Sequence, residues 1–412
     1  MDWRPYDAAR DREAVHRIWE EVGWQERENI RHQERLDAFL SSGNAVVADV
    51  NGAAECAVLM TPGQMRYVDT DLSLACVRAV CTSHVAKRQG LAKRLTAQAL
   101  ALEAGNGAEV AALGMFDQGF YNLLGFGTGA CEHLFQIDPG HIHVDAGFRP
   151  PYRFGAGDYE AVHQCRISRR RVHGSCILLP PEMTRADMLG SKDAFGLGYR
   201  DASPGALSHA MWILPEKPGA GPYWLSWMAY KTAGQLRELL ALISGMGDQV
   251  RVVKLFEPPG ISLQDVLRNP FRELSVREEG RFKLSQKAFA ARQARILDLP
   301  KCLAKTHLRC GEMRFNLSLA DPIAQYLDDG TAWRGTAGAY IVTLGADCAA
   351  RAGTAKELPT LRASINAFTR MWLGAVPATG LAVTDELDGP QELLEELDWA
   401  FRLPAPRFDW PF

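Results

Sequence analysis

The sequence predicts an α/β protein of several domains, whose sheets mix parallel and antiparallel strands. Short runs of β-branched and small apolar residues alternate with longer segments in which apolar residues recur at helical spacing. The chain has 412 residues, of which 47% are apolar. A chain of this length divides into about two to four domains, and the apolar material suffices for more than one core.

The first region begins with two helices and a hairpin. Residues 8–21 are amphipathic at the helical period, and Asp7 is placed to cap their first turn. The Asn51-Gly52 pair separates two apolar runs and is typical of a tight hairpin turn. The predicted elements are helices at 8–21 and 30–41, strands at 45–50, 53–60 and 74–82, a helix at 90–104 and a strand at 110–114.

Two boundaries divide the rest of the chain. Pro150 and Pro151 break helix and strand alike, and a further α/β alternation begins near residue 298. We therefore predict domains at 1–148, 149–297 and 298–412. The elements predicted beyond the first boundary are a helix from residue 158, strands at 222–230 and 249–255 around a helix at 232–244, strands at 313–319 and 338–344, and helices at 357–371 and 390–400.

A basic turn between a strand and a helix is the most specific feature of the chain. Lys87, Arg88 and Gly90 follow the strand at 74–82 and precede the helix. The first N–H groups of a helix lack internal partners and carry partial positive charge, which suits a phosphate. Gly90 lets the backbone approach a ligand, and the two cations supply the countercharge. Taken alone, these residues also fit an ordinary surface loop with a solvated charge pair.

A second segment places Tyr121 shortly before Gly125 and Phe126. A phenol has a reference pKa of about 10. It therefore stays protonated at neutral pH and is able to protonate a leaving thiolate. The alternative is a half-buried aromatic residue whose hydroxyl donates to a backbone carbonyl.

The basic turn resembles the coenzyme A pyrophosphate loop of GNAT-type N-acetyltransferases, whose pattern is Arg or Gln, two residues, Gly, one residue, and Gly or Ala. Here the first position is Lys87, which keeps the charge but loses the bidentate fork of arginine. Tyr121 matches the tyrosine that lies beside the coenzyme A sulfur in that family. The resemblance implies acetyl-CoA as cosubstrate, no metal, Tyr121 as the general acid and the N–H of Val80 as the donor to the thioester carbonyl. The residues it assigns to binding acetyl-CoA are Val80, Thr82, Lys87, Arg88, Gln89, Gly90, Leu91 and Ala92.

The order of the three regions resembles the enhanced intracellular survival family, acetyltransferases of aminoglycosides and other amines. That resemblance implies two GNAT-like domains and a C-terminal sterol-carrier-like domain. The second GNAT-like domain lacks the coenzyme A loop, because residues 228–236 hold no basic glycine turn. The resemblance also implies an aminoglycoside-like acceptor with several amines, a homo-oligomer (a hexamer), and a catalytic C-terminal carboxylate, here that of Phe412. Protein lysines or polyamines remain alternative acceptors, and a non-catalytic protein that binds a hydrophobic ligand remains an alternative function.

A cationic acceptor requires an acidic pocket lined by aromatic residues. The segment of the first two helices supplies two tryptophans and three glutamates: Trp19, Trp24, Glu20, Glu26 and Glu28. The alternative is that Trp19 belongs to the core and that the glutamates form a solvated face.

Composition and charge argue against several other classes of protein. The formal charge of −3 argues against nucleic acid as the main partner, and residues 169–171, three arginines, are interpreted as a solvated face. The chain has no apolar run of membrane-spanning length and no signal-peptide core, so we expect a cytoplasmic protein without a membrane partner. The nine cysteines include no C-x-x-C pair, which is typical of reduced thiols.

Overall fold

Three mixed sheets with flanking helices make up the computed structural model, which describes residues 2–201, 206–268, 280–281 and 283–411. The helices are α1 (Ala8–Glu21), α2 (Ile30–Leu40), α3 (Leu91–Gly105), α4 (Gln118–Asn122), α5 (Tyr159–Ile167), α6 (Pro181–Met188), α7 (Ala233–Ser244), α8 (Leu299–Ala304), α9 (Ile365–Trp372), α10 (Ala378–Thr384) and α11 (Gln391–Ala400). None of these described helices is both long and apolar enough to cross a membrane. The strands are β1 (Trp3–Pro5), β2 (Asn44–Val50), β3 (Ala53–Tyr67), β4 (Thr70–Thr82), β5 (Val110–Gly114), β6 (Gly127–Thr128), β7 (Glu132–Ile137), β8 (Tyr152–Phe154), β9 (Cys176–Leu178), β10 (Phe195–Tyr199), β11 (His209–Pro215), β12 (Tyr223–Ala229), β13 (Val253–Phe256), β14 (Ser285–Phe289), β15 (Arg292–Ile296), β16 (Met313–Ala320), β17 (Gly338–Leu344), β18 (Ala349–Ala352), β19 (Thr360–Ser364) and β20 (Leu387–Asp388).

The first sheet has the strand order β1-β2-β3-β4-β5-β15-β6, and β9 pairs with β3. Its strands are antiparallel except for β4 and β5, which are parallel. These two strands pair only from Leu74 to Cys76 on β4, although β4 continues to Thr82. Because the pairing ends so early, the sheet opens between the ends of β4 and β5.

Helices cover both faces of the first sheet because successive strand residues point to opposite sides. Val47 packs in one core with Val15 of α1 and Leu36 of α2. Its neighbour Val46 packs in a second core with Leu95 of α3. The opening between β4 and β5 therefore lies between α1 and α2 on one face and α3 on the other.

Three strands cross the predicted domain division. β9 lies within residues 149–297 but pairs with β3 of the first sheet. β7 lies within residues 1–148 but belongs to the second sheet, of order β14-β7-β13-β12-β11-β10-β8. β15 lies within residues 149–297 but fills the first sheet between β5 and β6. The third sheet, of order β18-β17-β16-β19-β20, is built from residues after 298. The division into three domains stays a prediction, and so does the similarity of the third domain to sterol-carrier proteins.

The predicted α/β class with mixed sheets is confirmed, and the elements of the first region lie close to their predicted positions. The helix predicted at 357–371 is wrong in its first half, because Thr360–Ser364 form β19 and pair in parallel with β16. α9 begins at Ile365, where the hydroxyl of Ser364 caps it. The strand predicted at 249–255 begins only at Val253, where pairing with β12 starts.

Candidate active site

A β-bulge in β4 shapes the opening between β4 and β5. One residue of β3, Val58, opposes two residues of β4, Ala79 and Val80, because the pairing register shifts there. Ala79 has a φ of 50°, which is uncommon for a residue other than glycine. The bulge redirects the end of the strand, and Arg78, Ala79 and Val80 all line a cleft beside it.

The turn before α3 forms a neighbouring cleft of about 420 Å³, called here the turn cleft. Arg88 and Gly90 have left-handed backbone conformations, with φ of 63° and 74°. Gly90 is the N-cap of α3 and has no side chain to accept from the first N–H groups of the helix, which are therefore available to a ligand. The predicted residues that line this cleft are Thr82, Lys87, Arg88, Gly90, Leu91 and Ala92. Gln89 does not line it, because its side-chain amide donates to the carbonyl of Val85 at 3.1 Å.

Tyr121 lies in the cleft beside the bulge, which has a volume of about 350 Å³ and is called here the tyrosine cleft. Its aromatic and bulge residues include Trp19, Trp24, Phe39, Val80, Phe116 and Tyr121. The Tyr121 ring is buried, and its hydroxyl makes no hydrogen bond with any described residue. Burial raises the pKa of Tyr121 above its ordinary value, so the hydroxyl stays protonated at neutral pH. The hydroxyl is thus free to donate into the cleft, and the alternative bond to a backbone carbonyl is not seen in the described part of the chain.

Residues far along the chain hold the short helix that carries Tyr121. α4 has five residues, too few for a helix that is stable by itself. Gln293 on β15 donates to the side-chain oxygen of Asn122 at 2.6 Å. Asn366 on α9 donates to the backbone carbonyl of Asn122 at 2.9 Å. The position of Tyr121 therefore depends on β15 and α9.

A buried ion pair supports the turn that follows α4. Arg295 on β15 donates to the carbonyl of Leu124. Its guanidinium lies 2.7 Å from the carboxylate of Asp321, and both side chains have 0% exposure. The next turn residue, Gly125, has a φ of 81°, and a Cβ there would lie 2.8 Å from Nη1 of Arg295. Glycine at this position therefore makes room for the arginine.

The charged side chains of the tyrosine cleft are basic. Trp19 and Trp24 line the cleft as predicted, together with Arg35 of α2 and Arg78 of the bulge. Three predicted residues are absent from its described lining: Glu20, Glu26 and Glu28. The described lining therefore shows no acidic wall, and the alternative fits better, because Trp19 packs in the core and Glu26 and Glu28 are exposed. No pattern in the sequence connects Arg35 with Arg78. No group of three or more His, Cys, Asp or Glu side chains among the described residues could hold a metal ion.

The described tail of the chain, up to Pro411, lines a separate cavity with residues of the second sheet, and Phe412 itself lies outside the described residues. Trp410 is buried, and the Arg166 guanidinium lies 3.8 Å from the centre of its ring. Arg166 pairs with Asp187 at 2.9 Å, and Asp187 lies 3.9 Å from Arg78. Two side chains, those of Arg166 and Asp187, thus connect the described tail with the cleft.

Comparisons with known proteins agree with the geometry. Residues 4–129 match the acetyltransferase (GNAT) domain family. No curated protein sequence matches the chain. Similar solved structures are a probable N-acyltransferase from Enterococcus faecalis (18% identity, TM-score 0.78, 100% of this chain and 99% of that one), a GCN5-related N-acetyltransferase from Kribbella flavida (16%, 0.73, 100% and 98%), and Eis1 from Mycobacterium abscessus (14%, 0.75, 100% and 100%). At these identities the similarity establishes the fold of the whole chain.

Proposed function

We propose that this chain, whose residues 4–129 form a GNAT acetyltransferase domain, transfers the acetyl group of acetyl-CoA directly to a primary amine. The observation that carries the proposal is that the two clefts adjoin. Thr82 and Phe120 line the turn cleft, and Val80 and Tyr121 line the tyrosine cleft. Release of free coenzyme A thiol on mixing the protein with acetyl-CoA and an amine tests the proposal. Binding of acetyl-CoA without any release that depends on an amine would contradict it.

Each group of the site has one part in the proposed reaction. The backbone N–H of Val80 stabilises the charge that develops on the thioester oxygen, and such a donor is worth about 3 kcal/mol. The amine nitrogen bonds to the acetyl carbon while the carbon–sulfur bond breaks, and Tyr121 gives its proton to the departing sulfur. The carboxylate of Phe412 takes the proton that the amine loses.

Reversing the charge of the basic turn, with Lys87→Glu and Arg88→Glu together, is expected to raise the Kd of acetyl-CoA at least about tenfold. A charge-assisted hydrogen bond to phosphate is worth about 1.5–3 kcal/mol, and both cations line the turn cleft. Calorimetric titration measures the Kd. The matched control reverses two exposed cations elsewhere, Lys287→Glu and Arg309→Glu. An unchanged Kd in the folded double variant would remove this turn from the binding site.

Extending the chain by a few glycines after Phe412 is expected to slow acetyl transfer at least about 100-fold, the lower end of what a general base contributes. The extension moves the terminal carboxylate and changes no side chain, so the Kd of acetyl-CoA should stay the same. The proposal is supported by the burial of Trp410, whose ring is connected through Arg166 and Asp187 to Arg78 of the tyrosine cleft. The same glycines placed before Met1 are the control. Normal turnover of the C-terminally extended protein would take the carboxylate out of the mechanism.

The finer proposals about the acceptor and the assembly rest on the family resemblance. Aminoglycoside-like acceptors, with polyamines or protein lysines as alternatives, are cationic, and the described lining of the tyrosine cleft holds no carboxylate to attract them. The homo-hexamer rests on the same resemblance, and the cytoplasmic location rests on composition.

A non-catalytic protein that binds a hydrophobic ligand in its third region is the alternative function. The cavity beside α9, α10 and α11 has a volume of about 190 Å³, which is smaller than either cleft of the first sheet. A sterol-carrier-like role requires a large apolar cavity, so the small volume of this cavity favours the acetyltransferase over the ligand-binding protein.

A further inference from the structure

Among the residues that the structure describes, two guanidinium groups of the tyrosine cleft have no carboxylate of their own within hydrogen-bonding distance. Arg78 has a side-chain exposure of 9%, and the nearest carboxylate oxygen, on Asp187, lies 3.9 Å away. Among the described residues its hydrogen bonding is limited to a weak contact with the sulfur of Met183 at 3.7 Å. Arg35 lines the same cleft and makes neither a hydrogen bond nor an ion pair with any described residue.

Asp187 does not neutralise these groups because it is already paired. Its other oxygen lies 2.9 Å from Arg166, whose side chain has an exposure of 3%. Burial lowers the pKa of Arg35, while Asp187 acts against this effect and Arg78 adds to it. In the described part of the chain, the single carboxylate of Asp187 therefore faces the guanidinium groups of Arg35, Arg78 and Arg166.

A cation removed from water is costly unless an anion or several acceptors accompany it. The rest of the described cleft wall is largely aromatic or aliphatic. The ring of Phe39 lies 4.7 Å from the Arg78 guanidinium, a contact that attracts a cation but supplies no oxygen to accept its N–H groups. Guanidinium groups bind carboxylate and phosphate oxygens through pairs of N–H donors. The cleft is therefore suited to a ligand that brings its own oxyanion on an apolar body.

We infer that Arg35 and Arg78 bind an oxyanion of the acceptor, so that the acceptor is a compact amine that also carries a carboxylate or a phosphate group. The inference rests on the proposed acetyl transfer, since Tyr121 lines the same cleft and marks where the amine must react. An aminoglycoside carries charge of the same sign as the cleft and is expected to be a poor acceptor.

The test compares two acceptors of nearly equal shape, L-tryptophan and L-tryptophanamide, with the wild-type protein and with Arg35→Gln. Arg35 has no described partner to lose, so this variant is expected to fold. We expect the substitution to lower kcat/KM at least about tenfold for the acid, the value of one charge-assisted interaction, and less than about twofold for the amide. The control is Arg10→Gln on α1, whose side chain is 52% exposed and lies outside the cleft lining.

The outcomes separate the sources of the oxyanion. The same comparison with phosphoethanolamine and ethanolamine tests for a phosphate. If Arg35→Gln lowers kcat/KM for phosphoethanolamine only, the result supports the inference, with phosphate as the anion. An equal loss for the charged and the neutral acceptors overturns it, because the effect of Arg35 would then not depend on the charge of the acceptor.

Measuring ligand binding directly tests the inference even if the protein acetylates no amine. That result would contradict only the proposed function. Calorimetric titration of the wild-type protein should show L-tryptophan binding at least about tenfold more tightly than its amide. Arg35→Gln should abolish that difference. Equal affinities of the wild-type protein for each charged ligand and its neutral counterpart would overturn the inference whatever the turnover.

Discussion

Replacing Tyr121 with phenylalanine is expected to lower kcat for acetyl transfer about 100-fold or more, with the Kd of acetyl-CoA unchanged. The substitution removes only the hydroxyl, which has no described partner and faces the tyrosine cleft. A general acid contributes about 10²–10⁴-fold to a rate, and an interaction made only in the transition state appears in kcat. Because burial raises the pKa of Tyr121, its acid form persists into alkaline solution, and it should cause no fall in kcat between pH 7 and about pH 9.

The control for this experiment is Tyr152→Phe, which removes the hydroxyl of a tyrosine that is 51% exposed and belongs to the second sheet. That variant should turn over normally. If Tyr121→Phe also turns over at the wild-type rate with any amine acceptor, Tyr121 is a packing residue and the thiolate obtains its proton elsewhere.

Replacing Asp321 with asparagine is expected to lower the free energy of unfolding by about 3–5 kcal/mol, the cost of leaving a buried charge without its partner. Burial lowers the pKa of Arg295, and the carboxylate of Asp321 opposes that effect. The carboxylate also accepts from the backbone N–H of Thr336 at 2.8 Å. Denaturant titration followed by fluorescence measures the loss.

Asp388→Asn provides the comparison for this loss. Asp388 and Arg362 form a pair with side-chain exposures of 77% and 69%, and such a surface pair contributes about 0–1 kcal/mol. Arg295 also donates to the carbonyl of Leu124, so Asp321→Asn should lower kcat by disturbing the turn after Tyr121. A loss of stability no greater than that of Asp388→Asn would show that the buried pair is not needed.

Features with local causes could be predicted from the sequence. The carboxylate of Asp7 accepts from the N–H of Ala9 at 2.9 Å and caps α1 as expected. Asn51 and Gly52 take up positive φ angles of 55° and 87°, as the turn between β2 and β3 requires. The signals for these elements lie within a few residues of the structure that they produce.

The features that decide the chemistry of the acceptor depend on distant residues and could not be predicted in this way. The bulge that presents Arg78 is built around an alanine with positive φ, Ala79, and alanine carries no signal for that conformation. Arg169 was expected on a solvated face, but it forms an ion pair at 2.7 Å with Asp409 and has a side-chain exposure of 6%. Arg35 is likewise recognisable as part of a site only once the cleft exists.

The placement of β15 between β5 and β6 also determines when the first sheet can form during synthesis of the chain. During translation β5 leaves the ribosome long before Arg292–Ile296, so the backbone of β5 stays unpaired on one side until β15 has been synthesised. An apolar strand with a free edge invites pairing with other chains. Residues 4–129 expressed alone would keep that edge permanently, and substitutions within β15 would reduce the yield of folded protein before they changed the rate of catalysis.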